Sequence, residues 1–140
     1  MNQIPDDSET IPSPKEERDY YFEGLALGRE GKHEDALVAF SAALSVDPSR
    51  ALAWVGMGFA LGKLGRYEEE IECCDKAIAL DHGCVDAWIF KGFAFGKLDH
   101  FIEKVECCEQ ALKIDPESAV AWNNKGVALG MLGKYEEEIR

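Results

Sequence analysis

Residues 51–84 read ALAWVGMGFALGKLGRYEEEIECCDKAIALDHGC, and the fold is predicted from the pattern of this stretch. Its first half carries apolar residues at helical spacing and ends at Gly65, a residue type that readily adopts the left-handed conformation that stops a helix. Its second half begins with acidic residues, which the helix dipole favours in a first turn. The stretch therefore predicts two helices joined by a short turn. Nothing in the chain alternates with period two over a useful length, so no strand is expected.

The same pattern recurs along the chain with a step of 34 residues. One series of tryptophans, two series of glycines and one series of alanines keep this step. They are Trp54, Trp88 and Trp122; Gly24, Gly58, Gly92 and Gly126; Gly28, Gly62, Gly96 and Gly130; and Ala43, Ala77 and Ala111. A fixed period of this length indicates repeated supersecondary units that stack on one another.

These residues resemble the tetratricopeptide repeat (TPR) family, which has Trp at the fourth position of a 34-residue unit, Gly at the eighth, Ala at the twenty-seventh and Pro at the thirty-second. The resemblance implies an all-α, right-handed α-solenoid of helix-turn-helix repeats, with three TPR units and a truncated fourth. The predicted parts are a flexible acidic arm at 1–16, units at 17–50, 51–84 and 85–118, and a partial unit at 119–140. In the partial unit we expect one helix over 119–132 and the start of a second from residue 134.

The twentieth position of the unit departs from the family, which usually has a small alanine there. Glu70, Lys104 and Glu138 occupy it in the last three units. We expect these long charged side chains to reach out between the helices. The sequence also suggests two ion pairs, Glu70 with Lys91 and Lys125 with Glu138.

The cysteine pairs are predicted to be structural thiols. Adjacent helical residues point about 100° apart, so Cys73 and Cys74 do not suit a single metal ion. Equivalent residues of stacked helices lie ~10 Å apart, too far for a disulfide between Cys74 and Cys108. We expect these two to be small core residues, and Cys73 and Cys107 to be half exposed. Cys84 falls in a loop. A thiol-based redox or metal sensor is the most distant of the alternative functions.

The net charge, the N-terminal sequence and the motifs disfavour several classes of function. A net charge of −12 disfavours nucleic acid and anionic membrane surfaces as partners. The N-terminus lacks the features of a secretory signal, which predicts a cytoplasmic protein with reduced thiols. No nucleophile triad, phosphate loop or HExxH motif is present, so we expect no enzyme activity and no cofactor.

The resemblance implies a binding surface on the first helices of the units, which line the concave face in the family. The predicted groove residues are Tyr21, Leu25, Arg29, Val55, Phe59, Lys63, Ile89, Phe93, Lys97, Asn123 and Val127. They form an apolar floor with a basic rim, which predicts a protein-interaction scaffold that binds an apolar helical or extended segment of another protein.

Two alternatives use the same residues differently. In one, a second copy of the chain buries the apolar surfaces, and a homodimer forms through the C-terminal helix, where Leu129 and Leu132 should lie on an uncovered face. In the other, the groove residues are ordinary core between the repeats.

Family members that bind the acidic tails of chaperones use a clamp of Lys, Asn and Arg side chains. The corresponding positions hold Tyr21, Leu25, Gly56, Asp86 and Phe90. None of these side chains binds a carboxylate as a cation or amide would, so the sequence predicts against chaperone-tail binding.

Overall fold

A computed structural model describes residues 15–139, with side chains through residue 137. The predicted arm at 1–16 lies outside the described residues except for its last two. The described part is entirely helical, which confirms the predicted fold class. Its seven helices are α1 Glu17–Arg29, α2 His33–Val46, α3 Ala51–Lys63, α4 Tyr67–Leu80, α5 Val85–Lys97, α6 Phe101–Ile114 and α7 Ala119–Ile139.

Left-handed residues close the turns within the first three repeats. Gly31 has φ 78° and Gly65 has φ 77°, so each ends a helix in the conformation that glycine adopts without steric cost. The third repeat places Asp99 there with φ 61°, a conformation that Asp tolerates better than most residues. The helix stop expected at Gly65 is confirmed.

The turns between repeats are fixed by the tryptophan series. The Trp54 indole N–H donates a hydrogen bond to the Pro48 carbonyl oxygen at 3.0 Å, and the Trp122 indole donates to Pro116 at 2.7 Å. Trp88 makes the equivalent bond to the His82 carbonyl at 3.3 Å. The hydrogen bond spans six residues in each unit, so it ties the end of one repeat to the first helix of the next.

The helices stack in chain order. Each helix packs on the next, and the odd-numbered helices also contact one another, so that α1, α3, α5 and α7 form one layer of the solenoid. Alanines at the closest approaches are completely buried, among them Ala53, Ala87 and Ala121 of the first helices and Ala77 and Ala111 of the second. Small side chains here allow the backbones to approach closely, which leaves larger residues to shape the surfaces between the layers.

The expected break near residue 133 is not found. Helix α7 runs without interruption through Gly133, although residues 133–139 repeat the pattern that turns and starts a new helix at 65–71. The ring of Tyr135 lies 5.9 Å, centroid to centroid, from the ring of Phe101 at the start of α6. The continuation of α7 past Gly133 therefore lies beside the third repeat.

The exposure expected for two cysteines is wrong. Cys73 and Cys107 are buried, like Cys74 and Cys108. The reason is a close helix approach at glycine: a Cβ added to Gly58 would lie 3.3 Å from the Cys73 Cβ, and the equivalent distance between Gly92 and Cys107 is 3.2 Å. The glycine in the first helix of each unit leaves the neighbouring cysteine no access to water.

Candidate binding groove

A cavity of about 440 Å³ opens on the layer of first helices at the N-terminal end of the solenoid. Helices α1, α2, α3 and α5 all contribute walls, which are almost entirely aliphatic and aromatic. The lining residues are Tyr21, Gly24, Leu25, Gly28, Arg29, His33, Ala36, Phe40, Leu52, Val55, Gly56, Phe59, Ala60, Asp86 and Phe90. We refer to this space as the first cavity.

The first cavity exists because two small residues face each other across the first repeat. A Cβ added to Gly28 of α1 would meet nothing within 4 Å. Ala36, the twentieth residue of the unit, is only a methyl group and is buried at the back of the space. The floor is the ring of Phe40, which is held between Gly24 and Gly56; a Cβ on either glycine would come within 2.7 Å of Phe40 Cε1.

Few polar groups reach the first cavity. Arg29 and Asp86 lie at its edges, on α1 and α5. His33, at the start of α2, has a buried Nδ1 with no hydrogen-bond partner among the described residues. Its ring lies 6.3 Å from that of Phe59, in an edge-on arrangement. The cavity therefore suits a large apolar side chain and offers one guanidinium, one imidazole and one carboxylate at its margin.

A second cavity, of about 230 Å³, adjoins the first along the solenoid. Phe59 and Phe90 line both, and their ring centroids are 5.4 Å apart, so these two rings form the partition. The other lining residues of the second cavity are Gly62, Lys63, Glu70, Ile89, Phe93, Val120 and Asn124.

Glu70 lines the second cavity and is almost completely buried, with 1% of its surface exposed. Its carboxyl group lies directly against Gly62, where an added Cβ would come within 2.6 Å of Cδ. The Oε2 atom has no hydrogen-bond partner within the described part of the chain. Burial in this apolar setting raises the pKa of Glu70 to about 8, an increase that the nearby positive charge of Lys63 only partly offsets.

Of the two predicted ion pairs, Glu70 with Lys91 is wrong, and Lys125 with Glu138 involves a side chain outside the described residues. Lys91 contacts Asp75 at 2.7 Å and not Glu70, which the glycine at position 62 allows to turn inward and not out between the helices. Lys125 lies 3.6 Å from Glu109. The side chain of Glu138, its predicted partner, lies outside the described residues.

Lys104 repeats the behaviour of Glu70 in the third unit. Lys104 is buried against Gly96, with 9% of its surface exposed. A Cβ added to Gly96 would lie 2.8 Å from Lys104 Cδ. The expectation that this side chain reaches out into solvent is wrong for the same reason. A glycine at the twelfth position of the unit provides the space that the long twentieth residue fills.

The basic rim is built on the aromatic floor. The Lys63 ammonium lies 5.4 Å from the ring centroid of Phe59, and Lys97 lies 5.4 Å from that of Phe93. Each pair is separated by four residues on one helix, so the lysine stacks on its own phenylalanine. Both phenylalanines remain partly exposed, at 36% and 39%.

The predicted groove residues divide into three sets. Tyr21, Leu25, Arg29, Val55 and Phe59 line the first cavity; Phe59, Lys63, Ile89 and Phe93 line the second; Lys97, Asn123 and Val127 line neither. Tyr21 and Val55 are buried core residues as well as cavity walls, in keeping with the alternative that part of the set is inter-repeat core.

Several lining residues of these cavities are absent from the predicted set, among them His33, Glu70, Phe90 and Asn124. Glu70 did carry a signal, because a large twentieth residue accompanies a glycine at the twelfth position of the same unit. Asn124 takes the place expected for its neighbour Asn123, which is exposed away from the cavities. The rotation of α7 that decides between the two is a matter of packing.

The cysteines do not form a reactive cluster in the described part of the chain. All five are free and buried. Burial raises the pKa of the Cys73 thiol to about 11 and that of Cys107 to about 12, and it raises the pKa of Cys74, Cys84 and Cys108 as well. A raised pKa keeps a thiol protonated and poorly nucleophilic. No group of three or more metal-ligating side chains occurs within residues 15–137.

Helix α7 carries exposed apolar side chains on more than one face, and one of them, Val120, also lines the second cavity. They are Val120, Trp122, Val127, Leu129 and Tyr135. Leu129 is exposed as expected, whereas Leu132 is half-buried. No helix among residues 15–139 is long and apolar enough to cross a membrane.

Comparison with known proteins places the chain among helical repeats. Models of the tetratricopeptide repeat match residues 21–83, 85–118 and 107–140. No curated protein sequence matches the chain.

Solved structures with this fold superpose over most of the chain. The first TPR domain of human RPAP3 is 20% identical, with a TM-score of 0.84, and the match covers 89% of this chain and 98% of that one. The Sgt2 TPR domain from Aspergillus fumigatus is 18% identical, with a TM-score of 0.83 and coverages of 91% and 85%. The second TPR domain of human RPAP3, solved with the HSP70 peptide SGPTIEEVD, is 26% identical, with a TM-score of 0.75 and coverages of 78% and 91%.

Proposed function

This chain belongs to the tetratricopeptide repeat family, and from that premise we propose that it binds another protein by taking an apolar segment of it into the groove on α1, α3 and α5. The observation that carries the proposal is the first cavity, about 440 Å³ in volume and walled by aliphatic and aromatic side chains. A space of this size and lining accommodates one large apolar side chain of a helical or extended peptide, and the rest of the peptide lies along the groove.

The chemistry of the groove separates this partner from an acidic chaperone tail. The second TPR domain of human RPAP3 was solved with such a peptide, SGPTIEEVD. In this chain all five residues at the clamp positions line the first cavity: Tyr21, Leu25, Gly56, Asp86 and Phe90. Four of them are uncharged and the fifth is an acid, so the surface replaces a carboxylate site with an apolar pocket.

Selection from a random dodecapeptide library, followed by affinity measurement, tests the proposal. We expect enriched peptides to share one large apolar residue and to bind wild type saturably. The Gly28→Leu variant fills the first cavity, because nothing lies within 4 Å of the added Cβ, and we expect it to weaken binding at least tenfold. Gly130→Leu is the matched control, since Gly130 is the equivalent residue of α7, is equally free of neighbours and lines neither cavity. Equal affinities of the two variants, or no enrichment, would overturn the proposal.

Self-assembly is a second candidate, favoured by the exposed apolar side chains on α7. In this case a second copy of the chain covers that surface, and the protein is a homodimer. Sedimentation equilibrium in reducing buffer separates the two: a mass near 15.5 kDa at all concentrations rejects the dimer, and a stable mass of twice that value supports it.

The proposed setting is the cytoplasm. Five free thiols, all buried, suit a compartment that keeps cysteine reduced. In a protein-interaction scaffold these thiols contribute to packing and take part in no reaction.

A further inference from the structure

We propose that the second cavity is a subsite for a basic side chain of the bound segment, in which the Glu70 carboxylate accepts hydrogen bonds from a lysine ammonium or an arginine guanidinium. This inference rests on the proposed function and extends it: the partner then carries an apolar side chain for the first cavity and a basic one for the second. The partition formed by Phe59 and Phe90 places the two subsites next to each other along the groove.

The first argument is the unpartnered carboxyl group. Glu70 is 1% exposed, its Oε2 finds no hydrogen-bond partner among residues 15–137, and it lines a cavity otherwise walled mostly by apolar side chains. A buried carboxyl without a partner is costly, and few native side chains are left so. A donor that enters the cavity would supply the missing bond, and a charged donor would do so most strongly.

The second argument is the surroundings of the carboxyl group. The rings of Phe59, Phe90 and Phe93 line the same cavity. Two of these rings already hold an ammonium group, since Lys63 and Lys97 lie 5.4 Å from the centroids of Phe59 and Phe93. Aromatic faces and a carboxylate together are the usual environment of a bound organic cation. The volume, about 230 Å³, equals that of roughly seven water molecules and holds a single long side chain.

The third argument is charge. The chain carries 27 acidic against 15 basic residues, so a basic segment is attracted to it from a distance. Lys63 is the cation nearest to Glu70 that opposes this, and it lies at the exposed rim, where water screens it, whereas the Glu70 carboxyl is buried. Burial raises the pKa of Glu70 to about 8 in the empty cavity, and an entering cation favours the ionised form.

A small matched pair of probes tests the subsite without a peptide. n-Hexylammonium and 1-hexanol have the same aliphatic chain and differ in charge at one end. Each is titrated into the isotopically labelled 140-residue chain and followed by amide resonances of Gly62, Lys63 and Glu70. We expect n-hexylammonium to bind at these residues at least tenfold more tightly than 1-hexanol. Equal affinities, or shifts located elsewhere, would overturn the subsite.

Two carboxylate variants assign the effect to Glu70. Glu70→Gln keeps the size of the side chain and removes its charge, so we expect the tenfold preference for n-hexylammonium to be lost while 1-hexanol binds as before. Glu106→Gln, which removes an exposed carboxylate that lines neither cavity, is the control and should leave the preference unchanged. An unchanged preference in Glu70→Gln contradicts the assignment; if that variant does not fold, the probe pair on wild type still decides. Failure here with success of the peptide selection rejects this subsite alone.

Discussion

The first repeat and the two repeats after it fill the same space between their helices in opposite ways. In the first, the bulky residue is Phe40 at the twenty-fourth position, and the twentieth is the small Ala36. In the second and third, the twenty-fourth residue is a small cysteine and the twentieth is a long charged side chain, Glu70 or Lys104. All three units keep glycine at the twelfth position, so the space is open in the first unit and occupied in the others.

This difference shows how repeats with one fold can form different surfaces. The pair of helices recurs in all three units, and an indole hydrogen bond from the following unit ties down the end of each of them, because the 34-residue frame depends on these features. Exchanging the large side chain between the twenty-fourth and the twentieth positions leaves the helices and turns unchanged. The exchange determines whether the space beside the twelfth residue is a cavity, as in the first unit, or holds a buried ionisable side chain, as in the second and third. The groove is therefore specified by two positions per unit and not by the fold.

The largest effect is expected from removing the bulk of the first repeat. Phe40→Ala deletes a ring that is 3% exposed, and we expect it to lower the free energy of unfolding by about 3–5 kcal/mol. Cys74→Ala, at the equivalent position of the second unit, removes one atom and should cost on the order of 1 kcal/mol. Chemical denaturation of the two variants measures the difference. Similar losses would mean that the units do not distribute bulk as described.

Glu70→Ala places the family's usual residue at the twentieth position, and it should flatten the dependence of stability on pH. Because burial raises the pKa of Glu70 to about 8 in the folded chain, the folded state holds a proton there that the unfolded state has lost. Stability of wild type from this group is therefore greatest below about pH 5 and falls, by on the order of 3 kcal/mol, as pH rises to about 8.

Urea denaturation at a series of pH values measures this slope. The groups nearest to Glu70 are Lys63, Cys73 and Cys74; the thiols have raised pKa values and stay neutral across the range. A wild-type profile that matches that of Glu70→Ala would show that the carboxyl is solvated and not buried against Gly62.

Alanine at the eighth position of two units should change stability in opposite directions. Gly24→Ala places a Cβ 2.7 Å from Phe40 Cε1, and the buried ring has little room to move, so we expect a loss of about 1–3 kcal/mol. Gly126→Ala, at the same position of α7, meets nothing within 4 Å and should gain about 1 kcal/mol from helix propensity. Thermal unfolding compares them, and equal signs would contradict the tight seat of Phe40.

The smallest effect concerns the open space itself. Gly28→Ala should raise stability by about 1 kcal/mol, because its Cβ meets no neighbour in the first cavity. Gly62→Ala, the equivalent change in the second unit, should lower stability because the Cβ overlaps the Glu70 carboxyl group. The double variant Gly62→Ala with Glu70→Ala serves as control and should recover the loss, as calorimetry of the set would show.

Much of the fold follows from the sequence because it depends on local and repeated features. The positive φ angles at Gly31 and Gly65, the helix ends before Asp47 and Asp81, and the 34-residue step all come from residue types whose preferences act over a few neighbours. The apolar layer of the first helices also follows from periodicity.

The failures share a different cause. The burial of Cys73 depends on how closely Gly58 of another helix approaches, and the inward turn of Glu70 depends on space that Gly62 leaves open. Helix α7 continues through Gly133 although the local pattern is that of Gly65, and the Tyr135 ring on this continuation lies near Phe101 of the third repeat. Tertiary packing determines these outcomes, and a sequence pattern predicts such packing only in part.

The most direct test of the central claim is to map the changes in amide resonances of the labelled chain when one of the selected apolar peptides is added. The claim is that the space left open by Gly28 and Ala36 receives the partner's apolar side chain. We predict that the largest changes occur at Leu25, Gly28 and Val55 and that residues 127–137 of α7, which line neither cavity, are unaffected. Changes centred on α7, or none at the first cavity, would contradict the account.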